Sequence, residues 1–114
     1  MSARAADARA LALAAYLRER AASFSLSADV NDAHKIARAG MALLDAATIA
    51  ETFRTDDPTL QALSEAGRFE SMPDDTARFL ETAPLRAAIQ RPITGSAMTG
   101  RQILTLMVDT ARRG

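Results

Sequence analysis

Apolar residues recur every three or four positions through the first part of the chain, which is the spacing of one face of an α-helix. The stripe consists of Ala6, Ala10, Leu13, Leu17 and Phe24. It predicts a first helix over residues 2–24. The serines between residues 23 and 27 then predict a short loop, because a serine side chain competes for the hydrogen bonds of a helix.

The next segment carries two adjacent apolar seams. One seam is Val30, Ala33, Ala37, Gly40, Leu44 and Ala47, and the other is Ile36, Ala39, Leu43, Ala46, Ala50 and Phe53. Ser27 is a favourable N-cap, so we predict a second helix over residues 28–53. Two seams make a broader face than one neighbouring helix covers, and this predicts a central position for the helix.

Gly40 lies inside this predicted helix, where a glycine costs about 1 kcal/mol relative to alanine. With Ala33 and Ala37 it leaves a smooth groove that favours the close approach of a second backbone, from the same chain or from another copy. Leu44 continues the same seam and is expected to be buried. We therefore expect Leu44→Asp to abolish folding, because the new carboxylate would have no partner.

Prolines divide the second half of the chain into shorter elements. Asp57 and Pro58 predict the N-cap and first residue of a third helix that ends at Ala66. Pro73 predicts the start of a fourth helix, with acidic residues in its first turn, and Pro84 is expected to end or kink it. A further turn or two of helix is predicted over residues 84–90, with a stop at residues 91–92. No segment of the chain predicts a β-strand.

Thr99 and Gln102 have the spacing of a capping box, which predicts a last helix over residues 100–112. Its apolar residues are expected to lie nearly all round the helix: Ile103, Leu104, Leu106, Met107 and Val108. Such a helix is expected to be buried in a bundle or in an interface.

Together these elements predict an all-α fold, a compact bundle of about five helices in one domain over residues 1–114. The helices over residues 2–24 and 28–53 are expected to pair as a long antiparallel hairpin. The chain is rich in alanine, with four phenylalanines, one tyrosine and no tryptophan. Small side chains fill little volume, so the helices must approach closely to reach native packing density.

Charge and composition narrow the classes of function. The 14 basic and 14 acidic residues balance, so no global positive charge supports a dominant nucleic-acid partner. The absence of cysteine excludes thiolate chemistry and favours the cytoplasm. The uncharged run over residues 10–17 is too short to span a membrane, so no membrane partner is expected. Many arginines beside one lysine are typical of a GC-rich bacterial genome.

The chain offers few residues for chemistry. His34 is the only histidine, and Arg38, one turn further on, discourages a metal cation. The acidic pairs at residues 56–57 and 74–75 each lie beside a proline, which is typical of helix starts. We therefore predict a non-enzymatic protein without catalytic residues, cofactor or metal.

The two seams and the apolar last helix predict more apolar surface than a small bundle covers. The leading hypothesis is a helical protein–protein interaction or self-association module, expected as a homodimer or bound to another helical protein. The residues expected at its interface are Ala33, Ala37, Gly40, Leu44 and Met107.

Two other classes of function stay open. A small DNA-associated transcriptional regulator or accessory protein would need arginines that converge on one exposed face. A small enzyme or ligand-binding protein would need a pocket between helices, with polar residues gathered around His34, Arg38 or Glu51.

Overall fold

The computed structural model describes residues 8–26, 33–66, 68–71, 77–94 and 99–113. Five helices and two strands follow one another in these ranges: α1 (Ala8–Leu26), α2 (Ala33–Ala50), α3 (Pro58–Ala66), β1 (Arg68–Ser71), β2 (Ala77–Leu80), α4 (Ala83–Thr94) and α5 (Gly100–Arg113). The helices pack into a compact bundle, which confirms the predicted all-α class.

The first helix continues past its predicted end. α1 runs to Leu26, so the loop predicted to begin at residue 23 is wrong. A serine inside a helix costs only about half a kilocalorie per mole, and the packing of α1 outweighs that cost. Residues 2–7, where the helix was predicted to begin, lie outside the described part of the chain.

The second helix is shorter than predicted and ends at Ala50 rather than Phe53. Its end tightens, because the amides of Thr52 and Phe53 donate to carbonyls three residues back at 3.0 and 3.1 Å. The Thr52 hydroxyl also donates to the Ile49 carbonyl at 2.7 Å. Residues 28–32, predicted to open this helix, lie outside the described residues.

The core lies between the helices, and α2 contacts α1, α4 and α5, which agrees with its predicted central position. The largest fully buried side chains are Leu13, Leu17, Leu43, Leu60, Leu63, Leu85, Ile89, Ile103 and Met107. Alanines of α1 and α2 fill the space between them, so the two helices pack closely.

The two predicted seams of α2 are not equally buried. The seam through Leu43 faces the core, whereas Leu44 is 48% exposed, so its predicted burial is wrong. Successive residues of a helix are about 100° apart, and the neighbours of α2 cover one broad face that ends before Leu44.

A β-hairpin stands where the sequence predicted a loop and the start of a fourth helix. β1 and β2 pair antiparallel, with Phe69 opposite Phe79 and Glu70 opposite Arg78. The rings of Phe69 and Phe79 lie 5.1 Å apart, and Tyr16 of α1 packs edge-on against Phe79 at 5.0 Å. Aromatic cross-strand pairs of this kind stabilise a hairpin, and contact with α1 anchors it.

The helical turns predicted over residues 84–90 belong to α4, and Pro84 lies in the first turn of this helix. Proline fits there because its missing N–H would have no helical partner and its φ is already helical. α4 continues to Thr94, so its predicted stop at residues 91–92 is wrong. The acidic residues after Pro73, predicted to begin the fourth helix, lie outside the described residues.

The last helix is amphipathic, which corrects the prediction that it is apolar nearly all round. Ile103, Leu104, Met107 and Val108 are buried on one face. The opposite face is exposed and carries arginine, glutamine, threonine and aspartate. The predicted capping box is present: the Thr99 amide donates to Gln102 Oε1 at 2.9 Å, and the Gln102 amide donates to Thr99 Oγ1 at 3.2 Å.

Candidate interaction surfaces

The five residues expected at an interface do not form one exposed surface. Gly40 is buried and Leu44 is 48% exposed. Met107 is completely buried in the core of its own chain. Ala33 and Ala37 lie within helix α2. The described part of the structure does not include their side chains.

A neighbouring stripe of α2 faces solvent instead. Arg38, Met41, Leu44, Asp45 and Thr48 recur at helical spacing and are all exposed, and we call them the α2 outer face. Met41 is 70% exposed and Leu44 48%. Lying three residues apart, they are neighbours on the helix surface and form a small apolar patch.

Opposite charges flank this patch. Arg38 lies one turn before Met41, and Asp45 lies one turn after it. The carboxylate of Asp45 makes one hydrogen bond among the described residues, in which its Oδ2 accepts from the Gly100 amide at 3.0 Å. This amide belongs to the first turn of α5, where a carboxylate is favoured by the helix dipole.

The contact at Gly100 brings α5 onto the backbone of α2. A Cβ at this position would lie 2.6 Å from Asp45 Oδ2 and 2.7 Å from the carbonyl carbon of Asp45. It would also overlap the amide nitrogen of Ala46. Glycine is therefore required for this approach.

A second surface feature is a cavity of about 700 Å³ between α1 and β2, which we call the α1–β2 groove. One wall comes from a single face of α1: Ala12, Ala15, Tyr16, Glu19 and Arg20. Residues 78–81 and Arg86 form the other wall. Its volume is within the range of ligand-binding sites.

In the walls of this groove, the hydroxyl of Tyr16 and Oε2 of Glu81 are buried and have no hydrogen-bond partner among the described residues. The other carboxylate oxygen of Glu81 pairs with Arg86 Nε at 2.7 Å. A buried polar atom without a partner costs about 1–3 kcal/mol of stability.

In the described part of the chain, two smaller cavities are lined by residues without such unsatisfied polar atoms. A cavity of about 320 Å³ lies between the C-terminal ends of α3 and α5 and the start of α4. Another of about 290 Å³ lies between α2, α3 and α5. Among the described residues, neither is lined by a buried side-chain atom that lacks a hydrogen-bond partner.

The candidates for acid–base or metal chemistry are not brought together. Asp57 caps α3, since its Oδ1 accepts from the amides of Thr59 at 2.8 Å and Leu60 at 3.4 Å. The acidic pair at residues 74–75 and the side chain of His34 lie outside the described residues. Within the described ranges no cluster of three metal-ligating side chains occurs. No helix in these ranges has the length and apolarity needed to cross a membrane.

Leu44 is exposed among the predicted interface residues, and three further features were not predicted from the sequence. Met41 lies between the two seams. Its exposure depends on how far around α2 the neighbouring helices reach. Gly100 was seen only as part of a capping box, although a glycine at the first position of a helix is a signal of close approach. The α1–β2 groove follows from the hairpin, which periodicity did not reveal. No family model matches the chain, and no curated protein or solved structure shows significant similarity to it.

Proposed function

We propose that the protein is a helical self-association module in which the α2 outer face packs against the same face of a second copy. The observation that carries the proposal is the exposure of Met41 and Leu44, one turn apart, between residues of opposite charge. Burial of two large apolar side chains per copy is the driving force.

The α2 outer face is self-complementary. Arg38 and Asp45 are seven residues apart, which is two helical turns, and the apolar pair lies between them. An antiparallel crossing of two α2 helices near residue 42 therefore places Arg38 of each copy opposite Asp45 of the other. The same crossing brings the two Met41 side chains together at the two-fold axis, with Leu44 of each copy beside them. A two-fold axis requires this kind of pairing, in which a surface meets itself.

The polar groups of the face are suited to burial. The hydroxyl of Thr48 donates to the Leu44 carbonyl of its own helix at 3.1 Å, so its proton needs no partner across the interface. Asp45 uses one oxygen for Gly100 and keeps the other for an arginine. The net charge of zero means that two copies do not repel each other.

The proposal keeps the non-enzymatic, cytoplasmic character expected from the sequence. It replaces Met107 and Gly40, which are buried within the chain, by the exposed Met41. Binding to another helical protein through the same face, and binding to nucleic acid, stay predictions that no described contact favours.

Light scattering after size exclusion, at two well-separated protein concentrations, tests the proposal. We expect the molar mass to approach that of a dimer at the higher concentration. Leu44→Asp and Met41→Asp are each expected to hold the protein as a monomer, because they place a carboxylate in the apolar patch. A monomer at both concentrations in the unaltered protein would exclude self-association.

Leu11 provides a matched control for these variants. It is a large apolar residue of α1 with 46% exposure, close to that of Leu44, and it lies on another helix. Leu11→Asp adds the same charge to the surface, and the dimer is expected to persist. If it dissociates the dimer as strongly as Leu44→Asp, the interface is not confined to the α2 outer face.

A further inference from the structure

Within the described part of the chain the sheet has two strands, and β1 occupies one edge of β2, so no described strand lies beside its outer edge. Apart from the hydrogen bonds of this hairpin, no described backbone hydrogen bond involves residues 77–81. An open edge presents alternating N–H and C=O groups and is a template for a further strand.

The α1–β2 groove runs along this edge. Its wall includes four consecutive residues, Arg78, Phe79, Leu80 and Glu81. Successive side chains of a strand point to opposite faces, so a cavity on one face of the hairpin would be lined by alternate residues. Lining by consecutive residues places the cavity beside the strand, where the free N–H and C=O groups are.

The opposite wall leaves room for a backbone. α1 contributes alanines at positions 12 and 15, whose side chains are the smallest after glycine. A helix has no free backbone groups to pair with a strand, so α1 cannot satisfy the edge of β2. The four residues of β2 span about 13 Å, and the cavity beside them holds about 700 Å³.

We propose that the α1–β2 groove binds an extended peptide of another protein, which pairs with β2 as a third strand and carries acidic side chains. Recognition of this kind combines main-chain hydrogen bonds with pockets for alternate side chains. Of the charged residues that line the groove, Arg86 and Glu81 pair with each other, and the exposed Arg78 favours a carboxylate on the peptide. The half-buried Tyr16 and Leu80 supply apolar surface for its alternate side chains.

A charged group in the walls fits such a ligand. Arg78 is exposed and makes no ion pair among the described residues, so its guanidinium is available to a carboxylate.

The probe we choose is a hexapeptide of alternating valine and glutamate, blocked at both ends, titrated into the full-length ¹⁵N-labelled protein. The expected result is a set of chemical-shift changes centred on the amides of residues 78–81. In the complex, the edge amides should also exchange more slowly with solvent. A peptide with alternate N-methylated amides is the control, because it keeps its charge and cannot form the strand ladder.

Arg78→Glu is expected to weaken binding of the hexapeptide roughly fivefold or more, since it replaces an attraction by a repulsion. Arg54→Glu makes the same change at an exposed site outside the groove, and affinity should be unaffected. Repeating the titration on Leu44→Asp separates this site from self-association, because the groove does not involve the α2 outer face.

Three results would each overturn the proposal. The first is an absence of shifts in residues 78–81 at saturating peptide. The second is equal binding of the N-methylated peptide, which would mean that the ladder does not form. The third is slow exchange of the edge amides before peptide is added, which would mean that another part of this chain already covers the edge.

Discussion

At Gly100 the first turn of α5 lies directly on the backbone of α2. The position is buried, and the space for a side chain is taken by the backbone of Asp45 and Ala46. The helix therefore begins where it does for two reasons: the local capping box formed by Thr99 and Gln102, and a glycine that allows this contact. Only the first reason is a local property of the sequence.

Gly100→Ala is expected to lower the free energy of unfolding by about 1–3 kcal/mol, because backbone atoms must move to admit the Cβ. Urea denaturation followed by circular dichroism measures this change. Thr105→Ala, at an exposed position of the same helix, should alter stability by less than about 0.5 kcal/mol. Equal stability of Gly100→Ala and the unaltered protein would show that the two helices do not meet closely.

At the scale of the element, α2 carries two leucines in succession with opposite environments. Leu43 is fully buried and Leu44 is 48% exposed. Helical periodicity places the two leucines on different seams and predicts burial of both. It does not reveal how far around the helix the neighbouring helices reach, and this extent decides the exposure of Leu44.

Leu43→Asp and Leu44→Asp should therefore behave in opposite ways. Leu43→Asp buries a carboxylate without a partner and costs more than about 3 kcal/mol, a large part of the stability of a small domain. Leu44→Asp should retain the helical circular dichroism spectrum and a cooperative unfolding transition. Loss of folding in both variants would mean that Leu44 belongs to the core, as periodicity alone predicts.

The elements that could be predicted are those determined by local signals. Asp57 with Pro58, and Thr99 with Gln102, mark the starts of α3 and α5, since capping depends on residues within one turn. The hairpin could not be predicted in this way. Its strands pair across a span longer than one helical turn, and its contact with α1 joins Phe79 to Tyr16, which is far away in the chain.

The candidate interface also depends on contacts between distant residues, which local signals do not reveal. Leu44 was predicted at the interface because it continues an apolar seam of α2, and Met107 because the last helix was expected to be apolar nearly all round. Met107 is buried, because the apolar residues of α5 face the core of their own chain. Sequence pattern distinguishes apolar from polar positions, but the partner that covers each apolar position depends on the tertiary arrangement.

At the scale of the whole molecule, Asp45 links the packing of one chain to the proposed pairing of two. Its Oδ2 accepts from the Gly100 amide, and its position on the α2 outer face makes it the partner of Arg38 in a second copy. Substitutions at this residue can separate the two roles, because only the second depends on a full negative charge.

Asp45→Asn keeps an oxygen for the Gly100 amide and loses the charge. We expect its urea midpoint to stay close to that of the unaltered protein, while dimer formation moves to higher concentration. Asp45→Ala loses both roles and should also be destabilised by about 0.5–2 kcal/mol, the cost of a lost helix cap. If Asp45→Asn dimerises like the unaltered protein, the pair with Arg38 makes no contribution to assembly.

The hydrogen bond between Asp45 and Gly100 also bears on how tolerant the chain is to mutation. Exposure is commonly used to judge which positions accept substitution, and by that measure position 45 belongs to the permissive surface. Its carboxylate nevertheless holds the start of α5, and its backbone leaves no room for any side chain at position 100. In a library of all single substitutions, position 45 should be less tolerant than its exposure indicates, with asparagine the best accepted replacement, whereas Met41, one turn away, should accept most polar residues without loss of folding.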